Sequence, residues 1–402
     1  MRILFLSQRV PYPPNRGDKI TTWRLVERMK RHHDVTAIAF AHNEADFAAA
    51  RELTEEKGIP TIAFAYDDRA KKLASLPLLL GRTPLTLGVY GSKELQRRVD
   101  DEMRSADMAY AYSSSMGAFL EPHADRPRVM HFGELDSDKW RQYAETASFP
   151  MSWVYRREAR TLLEFESRVA RSFHTNVVCT PLEQQIFERQ IPGATARVLR
   201  NGVDLEYYHP ALNTPDPDEI VFTGVMNYFP NVDACRFFVE DVLPIVRQSR
   251  PLAHFTIIGS QPTRDVVRLA QVPGVRVTGF VNDTRDHLRK AVVSVAPLRI
   301  ARGIQNKVLE AMAMGLPVVG TTPATQGVDG ASGRDYLVAD DAHSFAHAVV
   351  ELLEKPDDAR ALGERARTFV EAHYDWEVVF RPLDDILASC ASKTASADAR
   401  TS

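Results

Sequence analysis

Strand-length apolar runs alternate with longer amphipathic stretches through the whole chain, and this alternation limits the fold more than any single motif does. Parallel strands need crossover connections, and amphipathic helices supply them. Runs at residues 2–6, 35–40, 61–65, 108–112, 128–132 and 176–179 read as strands, with helices over 18–31 and 152–172 among the connections. The rhythm stops at 210–218, where Pro, Asn and Asp can hold neither a helix nor an interior strand. It then restarts, with strands at 220–223, 253–258, 275–278, 292–296 and 317–320 and helices near 231–241, 263–270, 283–290 and from 341 onward. At 402 residues the chain exceeds what one hydrophobic core usually serves. The expectation is an α/β protein of two Rossmann-like, doubly wound domains facing a central cleft. Expected bounds are 1–205 and 206–375, then a helix over 376–388 crossing back to the first domain and a small, polar, disordered tail over 389–402.

Composition removes several function classes. With 44% hydrophobic and 26% charged residues, the chain is neither a disordered segment nor a disulfide framework. Cys179, Cys235 and Cys390 lie far apart with no CxxC spacing, which argues against a zinc site and for a reducing cytoplasm. The apolar run 3–6 is too short for a signal-peptide core, and no stretch elsewhere is long enough to span a bilayer. Up to Arg200 there are 30 Lys/Arg against 26 Asp/Glu, and beyond it 20 against 27, so the halves carry +4 and −7. That bias reads as a solvated surface, with peripheral contact of the first half with a membrane as the alternative. Nothing points to nucleic acid.

In open α/β sheets ligands sit at the carboxyl ends of the strands. The loop 297–306 is the strongest such place, lying between a strand and a helix that Gly315 and Pro317 would end. Gly303 lets backbone approach an anion, and the free amides at the helix start attract phosphate. Lys307 and Glu310 fall three residues apart on one face, about 4.5 Å along the axis. An ammonium there suits a diphosphate, and a carboxylate suits two ribose hydroxyls. A surface ion pair is the plain alternative, but 311–314 and 316–319 are apolar nearly all round, so charge on this helix needs a reason.

The segment Lys307-Val-Leu-Glu310-Ala-Met-Ala-Met-Gly315-Leu-Pro317-Val-Val319 resembles the donor-site segment of the retaining GT-B glycosyltransferases of family 4. Asn201-Gly202-Val203-Asp204, followed by Tyr208 and Pro210, is similar to that family's inter-domain signature, and Gly17, Gly224 and Gly279-Phe280-Val281 extend the likeness along nearly the whole chain. Val10-Pro-Tyr-Pro-Pro-Asn-Arg-Gly-Asp-Lys19, Asp136-Ser-Asp-Lys-Trp140 and Arg302-Gly-Ile-Gln-Asn-Lys307 resemble the sugar transferases of exosortase and exopolysaccharide (PEP-CTERM) systems.

The resemblance, together with the departures from it described next, gives an expected donor site of Gly17, Gly224, Asn227, Phe280, Val281, Arg302, Gly303, Ile304 and Glu310, with Arg299, Lys307, His131 and Glu134 as the catalytic set and Asp136 and Lys139 for the acceptor. Gly17 would approach the phosphates as the cleft closes. Two departures stand out. The family's first acid, eight positions before Glu310, is Arg302 here, and the usual basic pair after Gly224 is replaced by the uncharged Val225-Met-Asn-Tyr-Phe-Pro-Asn231. Arg299, Arg302 and Lys307 are expected to supply the missing charge. The family's strand-end His aligns with Gly133. His131 would share its face by strand alternation, and a satisfied polar residue at a strand end is the equal alternative.

Asp136-Ser137-Asp138 and Asp216-Pro217-Asp218 mimic a DxD metal motif, but the first reads as a helix cap with Asp136 at the N-cap and the second as linker. Arg156-Arg157 and Lys71-Lys72 read as solvated helix faces, and the apolar run 73–80, broken by Pro77, as a buried loop with a membrane-surface contact as the alternative. The expected activity is transfer of a sugar from a nucleoside diphosphate donor to a glycan or polyprenyl-linked saccharide, retaining, with neither metal nor cofactor. A nucleotide-sugar epimerase and a non-catalytic nucleotide- or glycan-binding subunit are the competing readings. A dinucleotide oxidoreductase fits poorly because no GxGxxG follows the first strand.

Overall fold

The computed structural model describes the backbone of residues 1–210 and 215–401 and the side chains through residue 391. Part of the expected linker, 211–214, lies outside the described residues. The chain forms two compact units, Met1–Leu199 with Phe380–Ser402, and Arg200–Val379. The change of unit thus comes at Leu199, before the Pro-rich stretch, and the return comes at Phe380.

The first unit holds a seven-stranded parallel sheet of β1 (Arg2–Ser7), β2 (Asp34–Ala41), β3 (Thr61–Ala65), β4 (Met108–Tyr112), β5 (Arg128–Gly133), β6 (Thr175–Val178) and β7 (Arg197–Val198), in the order β3-β2-β1-β4-β5-β6-β7. Its central strands are continuous apolar runs because helices cover both faces. Leu4, Leu6, Ile38, Phe40, Ala109, Ala111 and Met130 pack there against Leu162 and Phe165 of the Met151–Ser172 helix.

A helix spans Arg381–Thr401 where a tail was expected from 389. Alanine, the strongest helix former, recurs over 389–401 with no Gly or Pro to interrupt a helix. It is tied to the unit by Arg28 on Asp384 (2.8 Å), by Arg197 donating to Ser389 (3.2 Å) and by the buried Cys390.

The second unit holds β8 (Glu219–Thr223), β9 (His254–Ile258), β10 (Val275–Val277), β11 (Val293–Ala296), β12 (Val318–Gly320) and β13 (Leu337–Val338) in the order β10-β9-β8-β11-β12-β13, all parallel. Strand order reverses between β8 and β11, the place where open α/β sheets leave a crevice at their carboxyl ends. The equivalent reversal in the first unit lies between β1 and β4. All three cysteines are buried and none forms a disulfide. No helix among the described residues is long and apolar enough to cross a membrane.

Candidate functional site

At the β8/β11 reversal two loops meet through Asn231. Gly224 directly follows β8, and a Cβ there would stand 2.6 Å from the Asn231 side-chain amide nitrogen, so only glycine admits that side chain. Gly259, at the end of neighbouring β9, is required for the same reason, since a Cβ would lie 1.6 Å from the Gly224 carbonyl oxygen. Asn231, buried in the Phe229–Phe237 helix, donates to the Val225 carbonyl (2.9 Å) and accepts from Lys307 Nζ (2.8 Å). In the sequence Asn231 only closes an uncharged stretch, and nothing there marks it as a partner of Lys307.

Lys307 sits in the Asn306–Ala313 helix, which begins after Gly303 (φ +61) and has no side-chain cap at Gln305. Gln305 instead donates to the Arg302 carbonyl (2.8 Å), which leaves the first amides of the helix open to a ligand. Gly327 holds this loop closely, since a Cβ on it would come within 2.1 Å of the Gly303 carbonyl oxygen. Gly315 (φ +72) stops the helix as expected: its amide bonds the Met312 carbonyl and that of Leu316 the Ala311 carbonyl, both at 3.0 Å. Val308, Leu309 and Ala311–Ala313 are buried, while Lys307 and Glu310 are half-buried on the remaining face.

Neither charge answers the other directly. Lys307 lies 5.0 Å over the Phe222 ring besides its bond to Asn231, and burial pushes its pKa down to about 8 against the pull of Glu310. Burial likewise pushes Glu310 up to about 7, opposed by Lys307 and by the Tyr208 hydroxyl, which donates to the carboxylate. Tyr208 reaches it through the turn that follows Asn201-Gly202-Val203-Asp204. Gly202 is pressed against Tyr374, whose carbonyl oxygen would stand 2.8 Å from a Cβ at that position. Val203 N–H donates to that same carbonyl, and Asp204 accepts from the Tyr207 and Tyr208 amides. The signature is therefore a device for placing a phenol on Glu310. Asn306 Oδ1 is also buried here with no protein partner.

The remaining donor-side residues divide. Arg299 already forms a two-pronged pair with Asp233 and stands 5.2 Å over Phe237, so its charge is largely spent within the fold. Arg302 and Ile304 belong to the Gly303 loop, Arg302 half-buried and Ile304 buried. Asn227 is exposed and donates to Gln261, a non-glycine residue at φ +56 in the loop after β9. Gly279 (φ +69) turns the chain so that Phe280 is 74% exposed, with Val281 half-buried behind it.

In the first unit Gly17 is exposed at the first position of the Gly17–Lys30 helix. His131 is not at a surface. It is 1% exposed in the middle of the sheet, its Nδ1 2.7 Å from the Tyr110 hydroxyl, and desolvation pushes its pKa down to about 3. The alternation expected to bring it beside Gly133 fails because the β5–β6 register shifts between them and Gly133 takes φ +70. His131 is an interior residue bonded through Nδ1 alone, with Nε2 buried and without a hydrogen-bond partner.

Glu134 is half-buried just beyond the strand. Asp136 is the first residue of the Asp136–Thr146 helix, not its N-cap, which is Leu135. Glu166, fully buried on the Met151–Ser172 helix, accepts the Asp136 and Ser137 amides instead (3.0 and 3.3 Å). Asp136 accepts from Ser114 (2.9 Å), next to Ser113 at φ 76, and Lys139 lies half-buried one turn on. Asp138 is saturated by Arg141, Gln142 and Gln190, each at 2.9 Å.

Among the described residues one trio has metal-ligand spacing, Asp216, Glu219 and His254, but His254 pairs with both acids and the group lies at the amino ends of β8 and β9, away from the crevice.

Residues 217–355 match the family described as glycosyl transferases group 1. The matched residues include Gly224, Asn231, Lys307 and Glu310. The chain is 28% identical over 160 residues to a GDP-mannose-dependent monoacylated alpha-(1-6)-phosphatidylinositol monomannoside mannosyltransferase of Corynebacterium glutamicum, an alignment covering 37% of this chain and 42% of that protein. In fold it is similar to sucrose-phosphate synthase from Thermosynechococcus elongatus (TM-score 0.74, 16% identity, 98% of this chain and 99% of that one). It is also similar to Anabaena HepE in complex with UDP (TM-score 0.69, 17% identity, 97% and 100%). Both units are thus Rossmann-like, with GT-B glycosyltransferases as structural neighbours.

Proposed function

We propose that the chain transfers a sugar from a nucleoside diphosphate donor to a hydroxyl of a glycan or lipid-linked saccharide. One observation carries this reading. Lys307 and Glu310 stand one turn apart at the strand-order reversal, each held by a neutral partner, Asn231 and Tyr208, so that neither charge is cancelled within the protein. A ligand bearing a diphosphate beside vicinal hydroxyls completes both. The group 1 match over the same residues and a UDP-bound structural neighbour support the choice of ligand.

In this reading the departing diphosphate gains charge as the anomeric C–O bond breaks. The amides at the start of the Asn306–Ala313 helix and Lys307 stabilise that charge. Arg299 serves by positioning the loop against Asp233 rather than as a free cation, and Arg302 faces the transferred sugar or its substituents. Phe280 offers an exposed ring to the base. Retention of configuration, independence of metal, an exopolysaccharide role and acceptor contacts through Asp136, Lys139 and Glu134 belong to the same proposal. The Corynebacterium relative, named for a lipid-borne acceptor, favours a lipid-linked one.

A thermal-shift panel of UDP, GDP, ADP and TDP sugars tests the donor half, because a ligand that binds only the native state raises Tm with affinity. No shift from any member, or shifts unchanged in Lys307→Ala, overturns it. Product analysis with and without a lipid-linked saccharide then separates transfer from epimerisation and from binding alone.

A further inference from the structure

The run 73–80 is not a buried loop. Leu73 is 67% exposed and Leu80 95%, with Leu76 also in solvent, although the segment is among the most apolar of the chain. The Asp68–Ser75 helix continues directly into a tight turn of helix over Leu76–Leu80, and spacings of three and four put these leucines on its outer side. The inner side is fully occupied. Lys71 donates to the Gly91 carbonyl, and Ser75 and Leu78 close on Gly88, where a Cβ would meet them at 2.7 and 2.4 Å.

A second exposed apolar group, Phe149, Met151 and Trp153, opens the Met151–Ser172 helix. Arg157 of that helix joins the two. Contrary to the expected solvated face it is buried, and its guanidinium bonds the carbonyls of Leu78, Leu79, Gly81 and Thr83. Trp153 precedes Arg157 by four residues, about 6 Å along the same helix face, so it stands beside the loop that displays Leu80. These two short segments contribute six of the fourteen exposed large hydrophobics among the described residues, which makes a patch rather than scatter.

Charge decides what covers it. Residues 67–91 carry Arg69, Lys71, Lys72 and Arg82 against Asp67 and Asp68, and residues 149–160 carry Arg156, Arg157 and Arg160 against Glu158, a net of +2 each and +4 together. Arg69, Arg82, Arg156 and Arg160 are exposed around the apolar side chains. Two copies of such a face would bring like charges together, whereas anionic headgroups over an apolar interior match both parts.

We propose that this face of the first unit seats on an anionic lipid bilayer, with Leu73, Leu76, Leu80, Phe149 and Trp153 entering the headgroup boundary and the arginines pairing with phosphate. The docking does not depend on the donor chemistry of the second unit.

Flotation of the full chain with vesicles of phosphatidylcholine, with and without phosphatidylglycerol, tests it. Binding to the anionic vesicles, released by high salt, is expected. Leu80→Glu/Trp153→Glu and, separately, Arg82→Glu/Arg156→Glu should each weaken it by about tenfold or more with Tm unchanged, the second pair keeping the test open should the first misfold. Equal binding to both vesicle types, binding to neither, or binding retained in both variants overturns the proposal. So does a dimer, seen by sedimentation, that Leu80→Glu/Trp153→Glu dissolves while vesicle binding is absent.

Discussion

The Lys307 ammonium donates to the Asn231 side-chain oxygen at 2.8 Å, although a carboxylate stands one turn away on the same helix. An amide can hold the lysine without neutralising it, so the charge stays available to an arriving anion. The Lys307→Ala variant should therefore lose about 10- to 100-fold in nucleoside diphosphate affinity, the worth of a charge-assisted hydrogen bond. Titration calorimetry of UDP or GDP binding measures this, and an unchanged Kd would remove Lys307 from the site.

The pH dependence follows from the desolvation of these two half-buried charges. Lys307 loses its proton near pH 8 in the empty protein and Glu310 gains one near pH 7. A diphosphate favours charged lysine and ribose hydroxyls favour the ionised acid. Affinity should fall as pH rises above about 8 and as it drops below about 7, with proton uptake on binding near pH 8. Calorimetry in buffers of different ionisation enthalpy reads that uptake; its absence would count against Lys307 facing phosphate.

Tyr208→Phe removes a hydrogen bond that favours the Glu310 carboxylate, so the acid limb should move to higher pH. The loss in donor affinity at pH 7 should be several-fold, about 1 kcal/mol. A limb that stays in place would show that the phenol is not on the carboxylate.

Burial raises Glu166 to about 8 from an ordinary value of 4.5, so the folded state keeps a proton that the unfolded chain gives up. Its contribution to stability is fully present below pH 4.5 and is lost as pH rises to about 8. The Tm difference between wild type and Glu166→Gln should accordingly shift against wild type from pH 5 to pH 8. A difference equal at both pH values would mean that Glu166 is ionised throughout.

His131→Gln should leave the pH profile of turnover unchanged, because the native imidazole is neutral and enclosed throughout the working range. His131→Ala should lose about 2–4 kcal/mol of stability through the cavity and the orphaned Tyr110 hydroxyl. Loss of an acid limb in the Gln variant would instead restore His131 to the chemistry.

The two-sheet plan was legible because buried parallel strands are continuous apolar runs and their connections are not. Two strands escaped: β7 and β13 have two residues each, too short to carry any period. Lys307 and Glu310 were legible because charge on an otherwise apolar helix is conspicuous. Asn231 and Glu166 were not, since each acts across 76 and about 30 positions of sequence on a partner that only the fold brings near. His131 and the leucines of 73–80 went wrong in opposite directions. A sequence states what a side chain prefers as solvent, and the sheet or the turn decides what it gets.

Arg157 grips residues 78–83 entirely through backbone carbonyls. The path of that loop is therefore written in peptide groups, which every residue type possesses, and not in the side chains it displays. Leu79, Leu80 and Arg82 can change during evolution or in the laboratory without altering the scaffold beneath them, so the outer face can be retuned while its support is inherited intact.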